Sequence, residues 1–375
     1  MRRWLAWSLV VAACGRLHFD VPPQSGDGGL SGDGQGSPRM VSYPVGYGAY
    51  GAAVVDLDGD GNLDLATSNG GDNTVSVLFG DGTGAFSGRL DLATGMTPEA
   101  IAAGDLDGNG IPDLVTTDYF GGTVTRLLGL GSRMFGMKAS FTVAGGGDAI
   151  ATSDLNRDGH LDVVVVDKNF QEISVLHGTG TGAFATSVDI TVPMYPNGIV
   201  IADFDGNGYP DVALSIDGGS VATLAGGSTG LGSPVSYAVV AKPAAIALGD
   251  FNGDGHLDLA VAENTPATVD ILLGNANGTF GAPISFSVAN APTSIATGDF
   301  DGDGRLDVVV AAPGGTGGIE VLHGDGAGNL GPARFIAVPG APNRLTAAQV
   351  NGDGIADIVA TSSTASTAII VLGPL

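Results

Sequence analysis

Cysteine is all but missing: Cys14 is the only one in 375 residues, so no intramolecular disulfide can form. Basic residues are also scarce. Fourteen Lys and Arg stand against 39 Asp and Glu, a formal net charge of −25. No basic stripe is available to neutralise phosphates, which argues against a nucleic-acid partner. Past the N-terminus no stretch has the ~18 unbroken apolar residues of a membrane span. Aromatics are only 6% of the chain, as expected of many short strands joined by tight turns. Neither an H-E-x-x-H motif nor a P-loop occurs. Gly226-Gly227-Ser228-Thr229-Gly230 matches the nucleophile-elbow motif by letter. No helix follows it, however, and a sister turn reads Gly178-Thr179-Gly180-Thr181-Gly182, so it is a turn and nothing more.

Glycine is plentiful, with 64 residues, and one nine-residue pattern dominates. Its first copy is Asp56-Leu57-Asp58-Gly59-Asp60-Gly61-Asn62-Leu63-Asp64, with oxygen-bearing side chains at positions 1, 3, 5 and 9 and glycine at 4 and 6. Alternate residues can turn inward on one hard cation while glycine lets the backbone close the ring. The pattern returns at Asp105–Asp113, Asp154–Asp162, Asp203–Asp211, Asp250–Asp258, Asp299–Asp307 and, weakened, at Gln349–Asp357. The spacings are 49, 49, 49, 47, 49 and 50 residues, a period in the range of propeller blades. The loops hold 22 of the 39 acidic residues, so metal ligation explains much of the acidity. An EF-hand is excluded, because it needs Glu at position 12 and flanking helices. Position 12 of the first loop is Thr67, and Ala52–Val55 and Leu63–Thr67 read as short strands. Asp at position 9 therefore serves as the late ligand.

Residues 1–13 read as an export signal: Arg2-Arg3, an apolar run, then small residues. Cys14 follows as in a bacterial lipobox, which predicts a lipidated mature N-terminus; a plain signal peptide is the other reading. Residues 14–39 are a Gly/Ser/Asp/Pro-rich tether. From residue 40 to 375 each unit reads as four strands, and seven units predict an all-β, seven-bladed β-propeller of four-stranded antiparallel blades. The seventh unit stops one strand short, at Leu375, while Met40–Val45 is a surplus strand ahead of the first loop. The N-terminal strand is therefore expected to close the last blade.

Phe79-Gly80-Asp81-Gly82 followed by Ile101-Ala102-Ala103-Gly104-Asp105-Leu106-Asp107-Gly108-Asn109-Gly110 resembles the FG-GAP/VCBS repeat family, which includes integrin α-subunit propellers. The resemblance spans about residues 40–375 and implies calcium (Ca2+) in the loop between the first and second strands. Carried over by position, the ligands are Asp56, Asp58, Asp60, Asp64 and the backbone of Asn62; Asp105, Asp107, Asn109 and Asp113; and Asp154, Asn156, Asp158 and Asp162. They continue with Asp203, Asp205, Asn207 and Asp211; Asp250, Asn252, Asp254 and Asp258; and Asp299, Asp301, Asp303 and Asp307. About six sites are expected. A seventh, with Gln349, Asn351, Asp353 and Asp357, should be weaker because it holds two carboxylates. The third loop departs from the pattern with Arg157 where its sisters have glycine.

His160 and His256 occupy position 7 of their loops, His177 and His323 end equivalent third strands, and His18 lies in the tether. All read as repeat decoration, so no catalytic residue is assigned. Integrin-like propellers use the face opposite the metal loops for ligands, and on that face Tyr119, Phe120, Lys168, Phe170 and Tyr195 gather in blades 2–4, with Tyr47 and Tyr50 near the seam. The expectation is a monomeric, non-catalytic adhesion propeller with a protein or glycan ligand. It would be exported as an outer-membrane or cell-surface lipoprotein, or secreted or periplasmic, touching the membrane only through its lipid. A lectin and a polysaccharide lyase on the same fold are the alternatives. The lyase would need a basic and aromatic cluster, for which Lys168, Lys242 and Arg344 look too scattered.

Overall fold

A computed structural model describes residues 38–240, 242–314 and 317–375. The signal segment, Cys14 and most of the tether lie outside these residues. Among the described residues there are 28 strands and no helix, grouped into seven four-stranded antiparallel sheets. Blade 1 runs Ala49–Val55, Asp64–Asn69, Thr74–Gly80 and Phe86–Ala93, in that order across its sheet. Blades 2 to 6 repeat this order. Each first strand touches the first strand of the next blade, and that of blade 7 (Arg344–Ala348) returns to Ala49–Val55, so the ring is closed.

Closure uses the strand expected from the sequence. Arg39–Pro44 pairs antiparallel with Thr367–Leu372, from Arg39 opposite Leu372 to Pro44 opposite Thr367, and forms the outer strand of blade 7. The Tyr43 ring meets Phe86 of blade 1 edge-on at 5.6 Å, and its hydroxyl accepts from the Phe86 N–H at 3.1 Å. The closing strand is thus fixed to both sides of the seam.

Second strands such as Asp162-Val163-Val164-Val165-Val166-Asp167 are buried along their whole length, because each sheet packs another sheet on both faces. The core is accordingly a set of seven layers between adjacent blades. Ala53, Val55, Val75 and Val77 of blade 1, for example, pack on Ile101, Ala103 and Leu114 of blade 2. Position 2 of every metal loop drives an apolar side chain into such a layer. Leu57, Leu106, Leu155, Phe204, Phe251, Phe300 and Val350 are all buried. The loop is therefore bolted to the blade-to-blade contact. Leu57→Ala, at a fully buried site, should destabilise the protein by about 3 kcal/mol, read as a lower urea midpoint with an unchanged slope.

Candidate metal centres

Each first strand ends at its acidic loop, and the second strand leaves from it. The Gly-rich turns between third and fourth strands come to the same end of the disc. Gly84 of blade 1 donates to the Val350 carbonyl of loop 7, and Gly182 of blade 3 donates to the Leu106 carbonyl of loop 2. Position 7 covers its own blade's turn. A Cβ on Gly180, which has φ +69°, would lie 2.2 Å from the His160 ring, so glycine is required there on two counts.

The loops share one hydrogen-bond scheme. The position 9 carboxylate accepts from the position 2 N–H and from the glycine N–H that ends the third strand. For Asp64 these are Leu57 at 2.8 Å and Gly80 at 2.9 Å. In loops 1 to 6 the position 1 carboxylate accepts from two or three loop amides, as Asp56 does from Gly59 and Gly61. The carboxylates are thus aimed by the backbone. In loop 1 one oxygen each of Asp56, Asp58 and Asp64 lies within 4.8 Å of the others, and Asp105, Asp107 and Asp113 of loop 2, Asp203, Asp205 and Asp211 of loop 4, and Asp299, Asp301 and Asp303 of loop 6 converge likewise. Loops 3, 5 and 7 carry Asn156, Asn252 and Asn351 at position 3, so fewer charges meet there. Arg133, from the blade 2 turn, holds Asp58 Oδ2 at 2.9 Å while stacking over Phe79. Arg157 adopts φ +62°, the left-handed conformation of its glycine sisters, and leans its guanidinium on Tyr209 of loop 4 at 5.1 Å.

The residues fit a hard divalent ion on electrostatic grounds too. Burial, helped by the neighbouring position 1 and 3 carboxylates, pushes Asp64 up to about 6 and Asp113 up to about 7. Burial likewise pushes Asp258 and Asp357 to about 6. These acids hold their protons more tightly folded than unfolded. Without metal, their contribution is fully present below the ordinary carboxylate pKa of 3.8 and disappears as pH rises through 6–7. In chelator the melting temperature should therefore rise as pH is lowered from 8 to 5. In excess calcium that rise should vanish, because the ion replaces the proton. Thermal melts across this range in both conditions test the sign.

The strand register exposes what sequence reasoning missed. Leu176 pairs Val163 and Leu322 pairs Val308, so the next residues along, His177 and His323, come level with the position 9 carboxylates. His177 Nδ1 is 3.2 Å from Asp162 Oδ2, and His323 Nδ1 is 3.3 Å from Asp301 Oδ2 and 3.4 Å from Asp307 Oδ2. These two histidines, read from the sequence as repeat decoration, lie against the carboxylates of the acidic loops. The signal lay in reading across the hairpin instead of along the repeat.

At the opposite end Phe120, Phe170 and Tyr195 are 71%, 61% and 43% exposed. Tyr119 is half-buried, edge-on to Phe120 at 5.0 Å, and its hydroxyl accepts from Asn169 at 3.0 Å across the blade 2–3 boundary. Lys168 donates to Asn197 at 2.7 Å across the next boundary and lies 3.6 Å from Asp217. Tyr47 is exposed near the seam, and Tyr50 is half-buried. The first strands, each touching the next around the ring, line a central channel, and charges gather at its mouth on this end. Glu99 and Asp148, at the starts of the first strands of blades 2 and 3, share a field with Arg344 of blade 7. Burial and then Asp148 push Glu99 up to about 7, against the pull of Arg344. Lys168, whose N–H bonds Asp148 at 3.0 Å, belongs to the same mouth, so Lys168 and Arg344 are not scattered.

A closed propeller in which every blade carries an acidic loop between its first two strands belongs to the class of repeat propellers with metal-capable loops. The chain is a member of the FG-GAP-like repeat family, whose profile matches residues 56–116, 127–214, 250–310 and 299–360. No curated protein matches it in sequence. Among solved structures it is similar to BBS1N in complex with ARL6DN, soaked with lead (TM-score 0.63, 16% identity, covering 88% of this chain and 95% of that one). The same complex soaked with mercury gives 0.62, 16%, 88% and 96%. Virginiamycin B lyase from Staphylococcus aureus gives 0.59, 13%, 89% and 99%. At such identities the likeness is one of fold alone.

Proposed function

We propose that this chain is a non-catalytic, calcium-stabilised binding propeller displayed at the cell surface through a lipidated Cys14. The metal loops occupy one end of the disc and leave the other free. The observation that carries the reading is the set of large exposed rings on that free end, Phe120, Phe170 and Tyr195, beside the half-buried Tyr119. Rings held on a rigid scaffold supply apolar contact at low entropic cost, for a protein partner or for stacking on a sugar. That BBS1N is found in complex with ARL6DN supports the idea that a propeller of this fold serves as a protein-binding platform. Surface binding or glycan-array signal from the full chain should fall at least tenfold in Phe120→Ala/Phe170→Ala, with the melting temperature unchanged. Unchanged binding would remove this patch as the site.

One observation favours an enzyme as the second reading. Glu99, near 7 and beside Asp148 and Arg344, is suited to proton transfer at neutral pH. Turnover on polyuronides that Glu99→Gln abolishes would establish it.

A further inference from the structure

Loops 3 and 6 differ from their sisters at one position. The residue before the glycine that ends the third strand is Phe79, Leu128, Ala225, Leu273 or Leu372 in the other five blades, but His177 and His323 in these two. In blade 6 the imidazole Nδ1 faces Asp301 and Asp307 at 3.3 and 3.4 Å. That atom is buried and makes no hydrogen bond. One donor atom from each of Asp301, Asp307 and His323 falls within 4.8 Å of the others, as do those of Asp299, Asp301 and Asp303. Asp301 therefore belongs to two donor sets, one all oxygen and one containing a nitrogen.

We propose that Asp301, Asp307 and His323 form a transition-metal site in blade 6 that shares Asp301 and Asp307 with the acidic loop, taking a borderline divalent ion of the zinc or cobalt kind in place of calcium. Calcium takes oxygen ligands, whereas imidazole nitrogen suits zinc, cobalt, nickel and copper. At a metal–ligand distance of ~2.1 Å, the two separations of His323 Nδ1 from the carboxylates each subtend about 105° at the ion, close to a tetrahedral angle. The imidazole must then ligate through Nδ1 and carry its proton on Nε2. Three protein ligands leave a position for water or for a group on a partner. The competing role for His323 is packing against the two carboxylates, which needs no metal. Blade 3 is the internal control: His177 faces Asp162 at 3.2 Å, but position 3 is Asn156, so a second carboxylate is missing.

The inference goes beyond calcium binding and does not depend on it. The test uses the full chain, stripped by chelator and titrated with zinc by calorimetry and with cobalt by visible absorption, first without calcium and then with calcium as a competitor. Wild type should bind one ion with a nitrogen-ligated cobalt spectrum. His323→Leu copies three sister blades, so it should fold; it should weaken that ion at least about tenfold, the loss that outer-shell partners alone produce. His177→Leu should bind as wild type, and Asp303→Asn should weaken calcium while sparing cobalt. Wild-type zinc and cobalt binding in His323→Leu, or loss of cobalt in Asp303→Asn, would overturn the proposal. Cobalt held through His323 by a protein that binds no calcium would refute the calcium reading and leave this one standing.

Discussion

A chain starting at Val45 is expected to melt at least about 5 °C below the full protein and to self-associate. Removing Arg39–Pro44 takes away the whole ladder on the outer side of Thr367–Leu372, whose other side stays paired with Ile358–Ser362. That segment, Thr-Ala-Ile-Ile-Val-Leu, has no charge and no proline, and β-branched residues dominate it. An open edge of this composition is a template for intermolecular pairing. Tyr43 also leaves Phe86, so the seam between blades 7 and 1 loses packing and ladder together. Light scattering and thermal melts give the two readouts. A synthetic peptide of residues 38–45 should restore much of both by adding back as a strand in trans. A truncated chain that stays monomeric and melts like the full one would show that the seam is held by something else.

Stripping divalent ions is expected to have an effect of similar size. Four sites, each at about 100 times its dissociation constant, contribute roughly 11 kcal/mol by mass action, which for a chain this long is on the order of 15 °C. Because position 2 of each loop is buried between blades, loosening one loop loosens a whole layer. Calorimetry on the stripped protein should count four or more calcium ions. Loop 7, with Asn351 and two carboxylates, should be the last to fill. Fewer than four ions together with an unmoved midpoint would sink the metal-loop reading.

Both effects rest on features that the sequence carries locally. Each acidic loop is nine consecutive residues, and its Asp/Gly spacing dictates which side chains turn inward. The closing strand was legible because seven units contain one strand too few at one end and one too many at the other. The two histidines were harder to see. His323 meets Asp307 only once the antiparallel register of two strands is known. The channel mouth was out of reach of any repeat-based reading. Glu99, Asp148 and Arg344 come from blades 2, 3 and 7, and only the closed ring makes them neighbours. The repeat position of Glu99 and Asp148 holds residues such as Tyr50, Asn197, Thr293 and Asn343 elsewhere, and Arg344 stands one place further along, so no period flags them.

The pairing of Val41 with Ile370 also has a bearing on biosynthesis. The outer strand of blade 7 leaves the ribosome before blade 1, and its partner only after blade 6. Through that interval the nascent polypeptide gains its blades one at a time, up to six, with the closing ribbon unmatched. Contacts this distant along the chain form slowly, and the incomplete arc stays exposed to misassembly meanwhile. A chaperone that shields the unmatched ribbon would therefore matter most just before the final strand emerges.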